Sequence, residues 1–245
     1  MTTQLNLKTR ATNDDHDASA PGNSFPSKAA RPSPPARQRR GEGPSPRQIA
    51  KSEAMRFKVL EATVDCLLEG VAHELSYATI ADRAGISRGG VQYHFATRRD
   101  LLCAVLEHIN ARRLRQFRDD LACIGPDEDL AARIIDAHWK HLSERDFLAY
   151  QELVLLARSD PELTPAFAPL YRAFLANWYE TAHQAFGWSY RDHEVMQAGN
   201  IAHYVLEGMA YGQLAGQLSP DVVNDLLDHA KSIMRAALQR KNASE

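Results

Sequence analysis

The apolar residues of the first predicted helix recur every three or four positions. Ser45-Pro46 predicts its start, because serine suits an N-cap and proline suits the first helical position. Gly70 predicts its end. The stripe along one face of this helix consists of Phe57, Leu60, Val64, Leu67 and Val71.

Two short helices are expected next. Ser76 is a candidate N-cap for "YATIADRA", and Gly85 is the expected left-handed terminator of that helix. Ser87 is a candidate cap for the second short helix, which starts at Arg88. Phe95 is expected to turn inward and hold this helix against the core.

The rest of the chain also has a helical pattern. A long amphipathic helix is predicted from about residue 98 to 123, with Leu102, Val105, Leu106 and Ile109 inward, before Gly125-Pro126. Further helices are predicted at roughly 127–145, 147–158, 165–186, 192–217 and 220–240, with breaks at Asp160-Pro161, Gly187 and Ser219-Pro220. No segment has the alternation of a strand, so the sequence predicts an all-α fold.

The segment "GISRGGVQYHFATRRDLL" indicates contact with DNA. Two short helices joined by "AGIS" behind a longer helix are the layout of a helix-turn-helix unit, whose second helix enters the major groove. Gly89 and Gly90 weaken that helix by roughly 1 kcal/mol each, but they let its backbone approach DNA closely. Four arginines with no intervening acid lie between residues 83 and 99.

Each side chain of this helix suits a particular part of DNA. Ser87 and Arg88 lead it, where a hydroxyl, a guanidinium and free N–H groups meet phosphates or a guanine edge. Gln92 suits adenine, and Tyr93 and His94 lie far enough along the helix to reach backbone phosphates. Taken alone, these residues leave DNA binding and a solvated or protein-binding face equally open.

The stretch "IADRAGISRGGVQYHFATRRDLL" resembles the TetR family of one-component transcriptional regulators, whose pattern is roughly "IA..AG.S.GTLY.HF..K..L". The resemblance covers about residues 48–110. Gly90 and Gln92 depart from that pattern, and Arg98 stands at the family's phosphate-binding lysine. With the resemblance included, the expected DNA-binding residues are Ser76, Thr79, Ser87, Arg88, Gly89, Gly90, Gln92, Tyr93, His94 and Arg98.

The resemblance also divides the chain into parts. It implies a three-helix helix-turn-helix domain at 46–104, followed by a helical regulatory and dimerisation domain at 105–245. Residues 1–45 are expected to form a disordered basic tail, since they contain too few apolar residues to form a core. Residues 1–51 carry a net charge of +5 and residues 101–245 a net charge of -6. The tail either contacts the minor groove through Arg37, Arg39 and Arg40, or only keeps the chain soluble.

The predicted regulatory domain contains candidate ligand-binding residues. The resemblance implies a small-molecule ligand without identifying it, and we expect the ligand among Phe117, His138, Trp178 and His203. An aromatic stripe on helix 165–186, of Phe167, Tyr171, Phe174 and Trp178, is more typical of a core than of a pocket. His138 and His141 have a spacing compatible with a metal, but no third ligand is evident, so neither a metal nor another cofactor is expected.

A homodimer is expected through helices 192–217 and 220–240. Gly208, Gly212 and Gly216 recur every four residues, which lets another helix approach closely, although the same stripe also suits internal packing or a ligand. The apolar face assigned to the last helix consists of Val223, Leu226, Leu227, Ala230, Ile233 and Met234. The family resemblance points to the same two helices.

The combined pattern favours a repressor that a ligand releases from a palindromic operator in double-stranded DNA. The alternatives are a helical adaptor, or an enzyme-like small-molecule-binding protein, that has lost DNA binding. The motifs G-x-S-x-G, P-loop, G-x-G-x-x-G and H-E-x-x-H are absent, so an enzyme is not expected. The three scattered cysteines and the lack of a secretory signal or an apolar span predict a cytoplasmic protein without membrane contact.

Overall fold

The computed structural model describes residues 45–70, 75–125, 127–187 and 192–243. Within these ranges, all regular secondary structure is α-helical, which confirms the predicted fold class. The helices are α1 (Pro46–Leu68), α2 (Tyr77–Ala84), α3 (Arg88–His94), α4 (Arg98–Ala122), α5 (Leu130–His141), α6 (Arg145–Ser159), α7 (Leu163–Phe186), α8 (His193–Leu214) and α9 (Pro220–Asn242). A membrane-crossing helix is not found among the described residues, because none is both long and apolar enough.

Local capping explains where the helices begin. The hydroxyls of Ser45, Ser76 and Ser87 accept hydrogen bonds from backbone N–H groups three residues ahead, at 3.3, 3.2 and 3.1 Å. Each bond satisfies a donor that the first helical turn leaves unpaired. Gly85 ends α2 at φ 65°, a left-handed conformation that glycine adopts without a steric penalty. These predicted starts and this predicted terminator are confirmed.

One core joins the helix-turn-helix unit to the helices behind it. Val59 of α1, Ile80 of α2, Val91 of α3 and Leu102 of α4 belong to a buried cluster that also contains Leu153 of α6. The four predicted inward residues of α4, Leu102, Val105, Leu106 and Ile109, are all buried in this cluster, and so is Phe95. The cluster extends across position 104/105, where the sequence placed a domain boundary, so α4 contributes to both predicted domains.

The predicted stripe of α1 is wrong at Phe57. This side chain is 54% exposed, and its ring meets only the edge of His108 on α4, at 5.5 Å between centroids. The buried part of α1 begins at Val59, because the first half of the helix projects beyond the core. The predictions for Val71, for Pro126 and for the tail up to residue 44 lie outside the described residues.

An ion-pair network connects α1 with α4 and α6. Glu61 accepts hydrogen bonds from His108 at 2.5 Å and Arg112 at 2.6 Å, both on α4, and from Arg145 of α6 at 3.0 Å. Arg112 also binds Asp146 through two nitrogens. Burial raises the pKa of Glu61, but the bonds from His108 and Arg112 and the nearby charges outweigh it, so the net pKa is lowered.

The lowered pKa of Glu61 predicts a stability that depends on pH. Because the folded state favours the carboxylate, its contribution is present above the ordinary value of 4.5 and is lost as the pH falls below it. We expect Glu61→Gln to lower the free energy of unfolding by about 1–3 kcal/mol at neutral pH, and less in acid. Urea unfolding at several pH values measures this difference. Glu53→Gln on the exposed side of α1 is the control, and equal losses in both variants would contradict the assignment.

Two expectations for the last helices need correction. Val223, Leu227, Ala230 and Met234 of α9 are buried against helices of the same chain, so this face is not free for a partner. Periodicity indicates which face of a helix is buried, but it does not distinguish an intrachain core from a dimer interface. Leu226 and Ile233 are partly buried at the edge of the same clusters.

The glycine stripe of α8 is interrupted. Gly212 lies against Leu218, since a Cβ on it would come within 3.1 Å of that side chain. Gly216 follows the end of α8 and adopts φ 67°, so it is a turn residue. Gly208 alone of the three is both helical and open, with nothing within 4 Å of an added Cβ. The stripe is therefore wrong at Gly216, and Gly212 fits the alternative of internal packing.

Candidate DNA-binding surface and ligand cavity

Helix α3 presents an exposed surface. Ser87, Arg88, Gly89 and Gln92 are exposed, and Tyr93 is 83% exposed. A Cβ on Gly89 would meet nothing within 4 Å, so packing inside the protein does not require glycine there. Alanine would stabilise a helix better than glycine, so contacts within the chain give no reason for glycine at this position.

The C-terminal end of α3 is fixed to the core. The hydroxyl of Tyr77 donates a hydrogen bond to the carbonyl oxygen of Phe95 at 2.9 Å, and the guanidinium of Arg56 lies 4.4 Å above the Phe95 ring. Phe95 is 2% exposed. His94 is half-buried, and its ring meets the edge of Tyr93 at 5.2 Å. These contacts hold the exposed face of α3 in one orientation.

The other predicted DNA contacts surround α3. Ser76 and Thr79 lie in the first turn of α2, where their hydroxyl oxygens are 3.0 Å apart. Gly90 is half-buried, and an added Cβ would be in ordinary contact with Ser87 and Ile86. The structure thus places the ten predicted residues on α2, on α3 and at the start of α4.

Arg98, the predicted phosphate contact, has a partner inside the protein. Its Nη1 lies 3.3 Å from Oδ2 of Asp160, at the end of α6. The sequence did not indicate this pair, because the two residues are 62 positions apart. Both side chains are partly exposed, so the ion pair is weak.

The ion pair between Arg98 and Asp160 predicts a gain of DNA affinity when Asp160 is replaced. Asp160→Asn is expected to tighten DNA binding about 2- to 5-fold at low salt, because Arg98 is then free for a phosphate. Fluorescence anisotropy with a labelled duplex measures the dissociation constant. In an Arg98→Ala background the same substitution should have no effect, and a gain that persists there would assign it to long-range charge instead.

A cavity of about 90 Å³ lies between α4, α5, α7, α8 and α9. Phe117, His138, Trp178 and His203, the four predicted ligand residues, all line it. The rings of Phe117 and Trp178 stack with centroids 3.6 Å apart, and His138 meets Trp178 edge-on at 5.8 Å. Within the aromatic stripe of α7, Phe167 and Phe174 belong to core clusters, as expected, with Tyr171 and Trp178 packed against the second cluster. Phe174 and Trp178 also line the cavity.

The polar groups of the cavity form a chain. The hydroxyl of Tyr171 lies 3.1 Å from Nε2 of His203, and Nδ1 of His203 lies 3.4 Å from Nε2 of His138. Burial lowers the pKa of His203 to about 4, and it lowers the pKa of His138 as well. Both imidazoles are therefore neutral at pH 7.

Sequence reasoning missed Arg113, the one cationic side chain among the residues that line this cavity. It lies four residues after Ile109 and four before Phe117, on the inner face of α4. An arginine within an apolar stripe was the signal that could have revealed it. His141, the other half of the candidate metal pair, lies 2.7 Å from Asp120, away from the His138–His203 pair. The described residues contain no group of three side chains suited to a metal.

The described fold combines a helix-turn-helix unit with a helical bundle that encloses a cavity, which is the architecture of a one-component regulator. Two family models match it. Residues 59–105 match the bacterial regulatory proteins of the tetR family, and residues 126–240 match the tetracyclin repressor-like C-terminal domain. The chain belongs to the TetR family of DNA-binding transcriptional regulators.

Relatives and solved structures agree with this membership. The chain is 33% identical to the HTH-type transcriptional regulator CymR of Pseudomonas putida, over 38% of this chain and about half, 49%, of CymR. A TetR-family regulator from Rhodococcus sp. superposes with a TM-score of 0.55 and 22% identity, covering 75% of this chain and 98% of that one. The multidrug binding protein EbrR complexed with ethidium superposes with a TM-score of 0.51 and 22% identity, covering 75% of this chain and 97% of that one.

Proposed function

We propose that this regulator is a repressor that a small-molecule ligand releases from its operator in the cytoplasm. The observation that carries the proposal is the course of α4. This helix starts at Arg98, beside the exposed surface of α3, and reaches the cavity at Phe117, about 29 Å further along the helix axis. A ligand that displaces α4 at the cavity therefore also moves the N-terminal end of α4, beside α3.

The contacts along α4 connect the cavity to the helix-turn-helix unit. Arg112 binds Glu61 of α1 and Asp146 of α6, and it is adjacent to Arg113 in the cavity wall. A shift of α4 at the cavity pulls on α1, which shares its core with α2 and α3. Coupling between distant sites requires such a packed, continuous connection with two arrangements.

The DNA-binding assignment follows the geometry of α3. Ser87 and Arg88 lie at the N-terminal end that enters a major groove, and Gln92 lies one turn further, where an amide pairs with adenine. Tyr93, His94 and Arg98 contact phosphates on the flank, and Ser76 and Thr79 do the same from α2. The operator is a two-fold symmetric duplex site, since two copies of α3 are needed to read successive grooves.

We assign the dimer interface chiefly to the outer face of α8. Ile201, Tyr204 and Val205 are exposed apolar residues on that face, and Tyr204 is 64% exposed. Gly208 continues the same face one turn later without any neighbour within 4 Å. A contiguous apolar patch of this kind marks a protein interface, and a bare glycine lets a second helix come close. Val222 at the start of α9 extends the patch.

The ligand role of the cavity is supported by its walls and by fold relatives. Apolar and aromatic side chains with a few convergent polar groups are the usual lining of a small-molecule site. EbrR, which shares this fold, binds ethidium and imidazole. The ligand favours the spacing of the two α3 helices that does not fit DNA, where a fit requires about 34–36 Å.

Thermodynamic linkage tests this proposal. A compound that raises the melting temperature of the full chain is titrated into protein alone and into protein saturated with operator DNA. We expect the operator to weaken the binding of the compound about 5- to 150-fold, and the compound to weaken operator binding by the same factor. Equal affinities in the two titrations would contradict release by this route.

A further inference from the structure

Arg113 is a buried cation with one unpaired nitrogen at its end. The residue is 7% exposed, and its Nη1 has no hydrogen bond to any described residue. The side chain reaches the cavity wall from the middle of α4. An arginine stays protonated in a protein, so this cavity contains a full positive charge.

Three aromatic rings lie close to this charge. The guanidinium carbon lies 5.2 Å from the ring centroid of Phe147, 5.0 Å from that of Tyr150 and 4.8 Å from that of Phe174. Such cation–π contacts are weaker than the cost of removing a full charge from water, so the rings leave part of that cost uncompensated.

Neither Asp146 nor Glu207 forms a hydrogen bond with Nη1 of Arg113. Asp146 is already bound by Nε and Nη2 of Arg112. Glu207 is partly buried, and its Oε1 lies 3.5 Å from Nε2 of His203 without a hydrogen bond to any described residue. Burial raises the pKa of Glu207, and the positive charge of Arg113 opposes that effect.

The remaining groups select the sign and size of a suitable ligand. No acidic residue lines the cavity, and the histidines there are neutral at pH 7. Phe117, Trp178 and Leu175 provide apolar walls. One cation in an apolar cavity of about 90 Å³ suits a single negative charge on a small apolar body, and a phosphate dianion would remain half-neutralised.

We propose that the cavity binds an apolar monocarboxylate, with its carboxylate on Arg113 and its hydrocarbon body against Phe117 and Trp178. The planar guanidinium binds a carboxylate through two parallel hydrogen bonds, and Nη1 is available for one of them. The inference rests on the proposed function, since it names the ligand class of the same cavity. His138 and His203 line the same cavity.

Calorimetric titration of the full chain tests the charge preference. The probes are benzoate, phenylacetate, hexanoate and octanoate, each compared with its uncharged amide of nearly equal shape. We expect at least one acid to bind about 30-fold or more tightly than its amide. Equal binding of acid and amide, or no binding by any acid at about 1 mM, would overturn the proposal.

Variants of Arg113 test the residue itself. Arg113→Met replaces arginine by a shorter, unbranched apolar side chain and removes a buried charge, so it should fold with an unchanged or higher melting temperature. It should weaken acid binding about 30-fold and leave amide binding within about threefold. Arg113→Lys keeps the charge without the planar pair of donors and should give an intermediate affinity. Unchanged acid binding in Arg113→Met would refute the role of Arg113.

Operator binding, measured in parallel, separates this inference from the proposed function. An acid that binds through Arg113 but leaves DNA affinity unchanged supports the ligand class and refutes induction. Release from DNA by an uncharged compound, with no preference for acids, refutes the ligand class and supports induction.

Discussion

Gly208→Arg is expected to convert the dimer into a folded monomer. Gly208 is exposed, and a Cβ added to it meets nothing within 4 Å inside its own chain, so we expect the subunit to tolerate a side chain there. At the proposed interface, two arginines related by the two-fold axis place like charges and extra volume between facing α8 helices. Sedimentation should then give the chain mass of 27.4 kDa, whereas the wild type should give twice that mass.

The loss of the dimer should also remove most of the operator affinity. A monomer places one α3 in one groove, so it loses the benefit of the second, linked contact, and we expect affinity to fall about 100-fold or more. Ala185→Arg adds the same charge on the exposed side of α7 and is the control. A Gly208→Arg protein that remains dimeric would exclude this face of α8 from the interface.

Gly89→Phe is expected to abolish specific DNA binding while the protein stays folded. The position is exposed in the first turn of α3, with open space around an added Cβ, so the ring is accommodated in the free protein. A helix seated in the major groove has no room for a phenyl ring between its backbone and the base edges. We expect a loss of at least about 100-fold in affinity, together with an unchanged or higher melting temperature.

A smaller substitution at Gly89 and a control substitution elsewhere accompany Gly89→Phe. Gly89→Ala should stabilise the free protein by up to about 1 kcal/mol and weaken DNA binding less than phenylalanine does. Ala122→Phe places the same ring at the exposed far end of α4 and should leave DNA binding unchanged. If Gly89→Phe bound DNA like the wild type, the glycine pair would need an explanation other than close approach.

The helix boundaries were predictable because they depend on local chemistry. Ser45, Ser76 and Ser87 cap their helices through bonds to residues three positions ahead, and Gly85 ends α2 through its own backbone conformation. Such signals require only neighbouring residues, so they are visible in the sequence. Phe57 shows the limit, since its exposure depends on where the rest of the bundle stops covering α1.

The candidate cavity was predictable in part. Phe117, His138, Trp178 and His203 come from four helices, and the structure brings their rings into one wall. The inner face of α9 could not be assigned from the sequence, because the same apolar spacing suits an intrachain core and a dimer interface. Ion pairs across long stretches of chain, such as Arg98 with Asp160, have no local signal at all.

Selection of binding sites from a random duplex library by the full chain tests the central claim most directly, namely that α3 of a dimer reads DNA. We expect enrichment of a two-fold symmetric sequence. Its half-sites should be centred about 10 base pairs apart, which is one helical turn, or a multiple of that distance. Gly89→Phe and Gly208→Arg should fail to enrich that sequence. If the wild type enriched no sequence, or if both variants enriched the same sequence as the wild type, then α3 of a dimer would not be the part that reads DNA.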